Sequence, residues 1–341
     1  MSQASAVTRS PETEQRYLAR ALWFEGYVAA EMKTADVSPI EVVAWAIECK
    51  SKWSASTWRQ MKASLKFRYE SMNTPEALTA ALTISYESQS GTVKRSKKTS
   101  GARKKRITDA ELAYLLETIQ RRRSKYAPIL HTWLRLGALV GLRPHEWGQA
   151  TVLYLSDADV HGKGSALNKE PYLRIENAKN TNGRSHGQYR HLNIAKYSQQ
   201  DIDDIATFAM FMTSVHSNGE YPIFYSGCQS LLGRINIKLT GGRGKRMQLY
   251  SVRHKFSSDA KRSFTLEEVA ALMGHATDKT ASFHYGRKRD GGGGLGVRPL
   301  GIEVARVKRL KKPVPEVVKQ RNTHGRKTTR RTPILGPTPR A

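Results

Sequence analysis

Apolar residues recur every three to four positions through RYLARALWFEGYVAAEM, placing Tyr17, Leu18, Leu22, Trp23 and Val28 near one face of a predicted helix. SPIEVVAWAIECKSKW opens a second helix, with Ser38 as its cap and Pro39 at the first helical position. STWRQMKASLKFRYESM is a third, with Trp58, Met61, Leu65 and Tyr69 at helical spacing, and TPEALTAALTISYES a fourth. These four make a helical unit over 13–87, preceded by a disordered 1–12.

Residues 88–106, SQSGTVKRSKKTSGARKKR, hold Ser, Gly, Lys and Arg and almost nothing that builds a core, so they read as a basic linker. A second unit spans 107–290. Thr108 and Glu111 form a capping box. The apolar helix APILHTWLRLGALVGL follows. Over 172–194 the period shortens: YLRIENAK and QYRHLNI alternate as strands around the polar turn NTNGRSHG. Helical text resumes near 198 and again over 228–239, and SFTLEEVAALMGH opens with a capping box of Thr265 and Glu268. RKRDGGGGLG then reads as a flexible tether into a basic tail, 291–341. The fold class is mainly α with a small antiparallel β-sheet: an N-terminal helical domain and a mixed α/β second domain.

Charge changes the picture. The 341 residues carry 57 Lys and Arg against 29 Asp and Glu, a net +28. Such a surface favours polyanions, because each phosphate it neutralises releases counterions. Arg59, Lys62 and Lys66 on the third helix, with Lys104, Lys105 and Arg106 in the linker, are the predicted DNA contacts. No run of about 20 apolar residues predicts a membrane span, and MSQASAVTRSPETEQ lacks the apolar core of a secretory leader. Cys49 and Cys228 show no metal-ligand spacing. A cytoplasmic, nucleoid-associated protein is expected.

Three stretches carry chemistry: GLRPHEW at 141–147, YSVRHKF at 250–256 and LMGHATDKTASFHYG at 272–286. Between the first two, Lys179 ends the first predicted strand. In this order they resemble the tyrosine recombinases, the phage-type integrases. The likeness covers about 107–290 in motifs, while 13–87 matches the family's core-binding domain in character only. The resemblance implies a tyrosine-recombinase catalytic domain in which Tyr285 attacks a DNA phosphate and leaves a 3′-phosphotyrosine. Arg143 and Arg253 would clamp the non-bridging oxygens, Lys179 would protonate the leaving 5′-oxygen, and His275 would hydrogen-bond the phosphate. Glu146 would hold the site together, and His254 matches the position after the second arginine. No metal or cofactor is implied. Partners would be double-stranded DNA, a homotetramer in the synaptic complex and an accessory DNA-binding protein, in the setting of a mobile genetic element.

Two departures stand out. Tyr250 occupies the family's usual histidine position, and a phenol is a weak general base at neutral pH. His275 and Tyr285 lie ten residues apart, where the family spaces them by nine. Arg184 competes with Lys179 for the hairpin cation, and Arg190 on the second strand reads as structural or backbone-contacting. Two other functions fit the same fold: a non-catalytic accessory DNA-binding protein and a type IB topoisomerase-like activity. Truncation at Gly291 is expected to weaken DNA binding and its salt dependence.

Overall fold

The protein is described here by a computed structural model covering residues 11–93, 104–161, 167–177, 185–241, 244–280 and 291–309. Helix α1 (Pro11–Met32) begins just inside the stretch expected to be disordered, and an exposed Glu12–Arg16 pair spans its first turn. Helix α2 (Pro39–Cys49) starts on a full capping box: the Ser38 hydroxyl accepts from the Glu41 N–H, and the Glu41 carboxylate accepts from the Ser38 N–H. Helix α3 (Ala55–Met72) is capped by Ser54 and stops at Asn73, whose φ of 53° is left-handed. Helix α4 (Pro75–Tyr86) is capped by Thr74. Their apolar faces close on a core that includes Phe24, Val28, Trp58, Leu65, Tyr69 and Ile84.

The second unit has a separate core. Helix α5 (Asp109–Gln120) starts on the Thr108–Glu111 capping box. Helix α6 (Ala127–Val140) is buried on most sides and ends at Gly141, φ 67°. A β-carbon at Gly141 would lie 2.2 Å from the Phe256 ring, so the chain can turn there only as glycine. A 3₁₀ turn, Pro144–Gln149, feeds strand β1 (Ala150–Ser156), followed by the short helix α7 (Asp157–His161). Strands β2 (Lys169–Glu176) and β3 (Tyr189–Asn193) form the predicted antiparallel hairpin, in the register Leu173 to Leu192 and Ile175 to Arg190. Strand β1 adds to one side of it and β4 (Arg298–Pro299) to the other, giving an antiparallel sheet in the order β1-β2-β3-β4. Neither outer strand was expected.

Helices α8 (Gln199–Ser217) and α9 (Tyr221–Thr240) cover the core, α9 starting seven residues before the expected span. Helix α10 (Ser251–Ser263) runs through the interior, and α11 (Leu266–Leu272) follows on the Thr265–Glu268 capping box. The expected class, mainly α with a small antiparallel sheet, is the class observed.

Every residue of α10 from Ser251 to Lys261 is buried, although most are polar. Buried charges need partners. Lys255 finds them in Asp109 at 2.6 Å and Asp259 at 2.9 Å, tying the start of α5 to α10.

The glycine run departs from the expected tether. The Gly292 N–H donates to Asp259 at 2.7 Å, and Arg262 donates to the Gly291 carbonyl at 2.9 Å. Leu295 packs on the core and Val297 is wholly buried. After β4, helix α12 (Gly301–Arg306) brings in Glu303, whose buried carboxylate accepts from the His191 N–H at 3.0 Å and from its ring Nδ1 at 2.8 Å. The Lys308 N–H then donates to the Ala276 carbonyl at 2.9 Å. Residues 291–309 are built into the domain, because bare glycine backbone lets the chain lie against polar α10 and satisfy it. The two cysteines are buried and unbridged.

Candidate active site

Gly141 turns the chain out of α6 and delivers Arg143, which leads into the 3₁₀ turn carrying Glu146. The turn closes on itself. The Arg143 N–H donates to Glu146 Oε2 at 2.7 Å, the Glu146 N–H donates to the Arg143 carbonyl at 3.0 Å, and the Arg143 guanidinium donates to Glu146 Oε1. Glu146 is wholly buried. It draws in two more arginines: Arg190 from β3, whose Nη2 lies 2.7 Å from Oε2, and Arg253 from the first turn of α10, at 3.5 Å from Oε2.

Burial alone would push the Glu146 carboxyl up. The guanidiniums of Arg190, Arg253 and Arg143 reverse this and hold it well below the usual carboxylate range. Three guanidiniums against one carboxylate leave the cluster at +2. Burial and its cationic neighbours weaken the proton affinity of Arg190.

Arg253 also has a structural task. Its Nη1 donates to the Gly141 carbonyl at 2.5 Å and its Nη2 to the Met273 carbonyl at 2.6 Å. Those carbonyls end α6 and α11, so one side chain joins three helices where helix termini present unpaired carbonyls. His275 follows Gly274 at the end of α11 and is almost fully buried. Burial, then Arg253, Arg143 and Arg190, push its imidazole down to about 2. The ring is therefore neutral at any ordinary pH, a hydrogen-bonding group rather than a cation.

Of the predicted site residues, the structure brings together Arg143, Glu146, Arg253 and His275. Tyr250 lies one turn before Arg253, half-buried, with its ring edge-on to His254 at 5.6 Å. Lys179 and Tyr285 lie outside the described residues, as do Arg184 and His284. Among the predicted DNA contacts, Arg59, Lys105 and Arg106 are exposed. Lys66 pairs with Glu70 at 3.3 Å, and Lys104 with Glu111 at 2.5 Å. Lys62 differs from expectation: its ammonium donates to the Ser85 and Glu87 carbonyls, both at 2.6 Å, and so closes the end of α4.

Sequence reasoning placed Arg190 among structural residues without finding its partner. Asn177 carried no signal at all, yet its buried side chain accepts from Arg190 Nη1 at 2.7 Å and donates to the Gly187 carbonyl at 2.9 Å. His186, also buried, donates from Nε2 to the Ala271 carbonyl at 3.1 Å, joining the hairpin to α11.

No protein-family model matches the chain, and no curated protein matches it. Among solved structures, the chain is similar to a lambda integrase dimer bound to a COC′ core site, at 11% identity over 81% of this chain and 89% of that one, with a TM-score of 0.44. It is also similar to the Tn1549 transposon integrase in complex with transposon right end DNA, at 12% identity over 82% and 90%, TM-score 0.42. The same integrase in complex with a circular intermediate DNA matches at 13% identity over 74% and 82%, TM-score 0.39.

Proposed function

We propose that the protein is a DNA recombinase of the tyrosine type, cutting and rejoining duplex DNA through a covalent link to Tyr285. The observation that carries this reading is the gathering of Arg143 and Arg253, 110 residues apart in sequence, on the single buried carboxylate of Glu146 beside a neutral His275. A phosphoryl transition state gathers negative charge on its equatorial oxygens, and preorganised guanidiniums answer that charge with fixed, forked donors. The surplus +2 of the cluster is matched to such an anion.

In the proposed step the Tyr285 oxygen attacks phosphorus and its proton is released to solvent. The bond to the 5′-oxygen breaks, and Lys179 gives that oxygen its proton. The phosphodiester is conserved as a phosphotyrosine ester, so attack by a free 5′-hydroxyl rejoins DNA without a nucleotide cofactor. Neutral His275 donates a hydrogen bond to the phosphate. The helical unit 13–87 and the basic segment 88–106 hold the duplex, and four copies act on two sites in a cytoplasmic setting.

The test is a covalent trap. Nicked suicide duplexes drawn from DNA flanking the gene are incubated with the protein and run on a denaturing gel beside Tyr285→Phe. An adduct from the unaltered protein alone supports the proposal. Binding in a native gel with no adduct on any duplex overturns it in favour of a non-catalytic DNA-binding protein, and Tyr250→His is then the first substitution to make. Relaxation of plasmids without site preference points to a topoisomerase.

A further inference from the structure

The strands β2 and β3 carry a polar contact that the proposed chemistry does not use. Arg190 is wholly buried, and its fork is divided between two partners. Nη2 meets Glu146 Oε2 at 2.7 Å, while Nη1 meets Asn177 Oδ1 at 2.7 Å and Glu146 Oε1 at 3.3 Å. Asn177 closes the base of the hairpin through its N–H to the Gln188 carbonyl at 2.7 Å and its Nδ2 to the Gly187 carbonyl at 2.9 Å. Its Oδ1 also lies against Gly274, where a β-carbon would come within 2.1 Å of it.

We propose that Arg190 and Asn177 are positioning residues, which hold the Glu146 carboxylate, and through it Arg143, in register with the turn that presents His275. The inference rests on the strand-transfer reading above. Glu146 has only two oxygens for three arginines. Without Arg190, the carboxylate is free to rotate toward Arg143 and Arg253 and to draw their donors away from a phosphate. Arginine suits the post because a planar fork can satisfy a carboxylate and an amide at once. A lysine ammonium supplies charge with no fixed plane.

The experiment uses the full chain and follows adduct formation on the suicide duplex at varied DNA concentration. In Arg190→Met the rate at saturating DNA is expected to fall about 100-fold, the cost of roughly 1 Å of misplacement. The DNA concentration at half-saturation stays within about twofold, since no DNA contact has been removed. Arg190→Lys recovers little. A merely structural role would lower the fraction of protein that reacts and leave the rate of that fraction alone. Either that result, or full rescue by lysine, overturns the proposal.

Should Arg190→Met fail to fold, Asn177→Ala keeps the charge and removes one partner, and it must slow the saturated rate at unchanged half-saturation or the idea is wrong. If the unaltered protein forms no adduct on any duplex, the strand-transfer reading fails first. The positioning is then judged by the Nε–H nuclear magnetic resonance signal of Arg143, assigned by its loss in Arg143→Lys. This signal must shift or broaden in Arg190→Met; an unmoved signal overturns the positioning by itself.

Discussion

Oδ1 of Asn177 occupies the space that a side chain at residue 274 would need: a β-carbon there would lie 2.1 Å from it and 3.0 Å from Nη1 of Arg190. Gly274 also has φ of 67°, a left-handed backbone that other residues adopt with strain. Gly274→Ala is therefore expected to lose about 1–2 kcal/mol to the backbone and a further ~1–3 kcal/mol to overpacking. Urea midpoints at pH 7 check the sum. A loss under about 0.5 kcal/mol would mean that Asn177 moves aside without cost.

How much of this was legible is clear from particular residues. Ser38, Thr108 and Thr265 announce helix starts because a capping box is a local contact, complete within four residues. The hairpin was legible because alternation and a polar turn are local too. Strand β1 was not: ATVLYLS follows a 3₁₀ turn without punctuation, and only pairing with β2 defines it. The glycine run reads as a tether by composition, and its place against α10 depends on Asp259, more than thirty residues earlier. Arg143, Glu146, Arg253 and His275, which the structure brings together, stand out in the sequence because each sits in a motif. Arg190 and Asn177 have no motif, and Arg190 meets its carboxylate across 44 residues. Such a partnership exists only in three dimensions.

Glu146→Gln leaves three buried guanidiniums without a counter-charge. Breaking a buried pair from one side costs about 3–5 kcal/mol, and that is the expected loss at pH 7. The pH dependence has a definite sign. Glu146 is held well below its ordinary value in the folded chain, so its contribution is complete above the unfolded carboxyl's pKa near ~4.3. It is lost only as the pH falls toward the lower folded value. The stability gap between wild type and Glu146→Gln should stay constant from pH 8 to 5 and narrow below about 4. Chemical denaturation across that range measures it. A gap that narrows already between pH 7 and 5 would contradict the three-arginine cluster.

His275 works in the opposite sense to a salt-bridged histidine. Its folded imidazole is pushed down to about 2, whereas the unfolded ring takes a proton near ~6.5. Between these values only the unfolded chain binds that proton, so stability falls as the pH drops below ~6.5, by about 1.4 kcal/mol per unit for this residue. His275→Gln, which cannot titrate, should show a shallower loss from pH 6.5 to 4.5. The ring carbon resonance of His275 in the unaltered protein should not move over pH 8 to 5. A midpoint near 6.5 would place the ring in solvent.

The C-terminal segment separates into two parts with different consequences. Residues 291–309 carry Val297 in the core, β4 on the sheet and Glu303 on His191, so a chain ending at residue 290 loses a buried side chain, an edge strand and the hydrogen bonds His191 donates to Glu303. That truncation should destabilise the domain by several kcal/mol, roughly the sum of one buried aliphatic side chain and the lost hydrogen bonds to the Glu303 carboxylate, and its weaker DNA binding would report unfolding. A chain ending at Arg309 removes a stretch with nine Lys and Arg and one Glu, and leaves the described contacts in place. It should keep the thermal midpoint and lose part of the salt dependence of DNA binding, because each phosphate contact removed lowers the slope of log affinity against log salt by about 0.9. Affinity measured from 50 to 200 mM salt, a range of about fourfold over which such contacts are plainly read, decides between the two. An unchanged slope in the shorter deletion would show that residues 310–341 do not touch DNA, and the phosphate contacts would then belong to residues 1–309 alone.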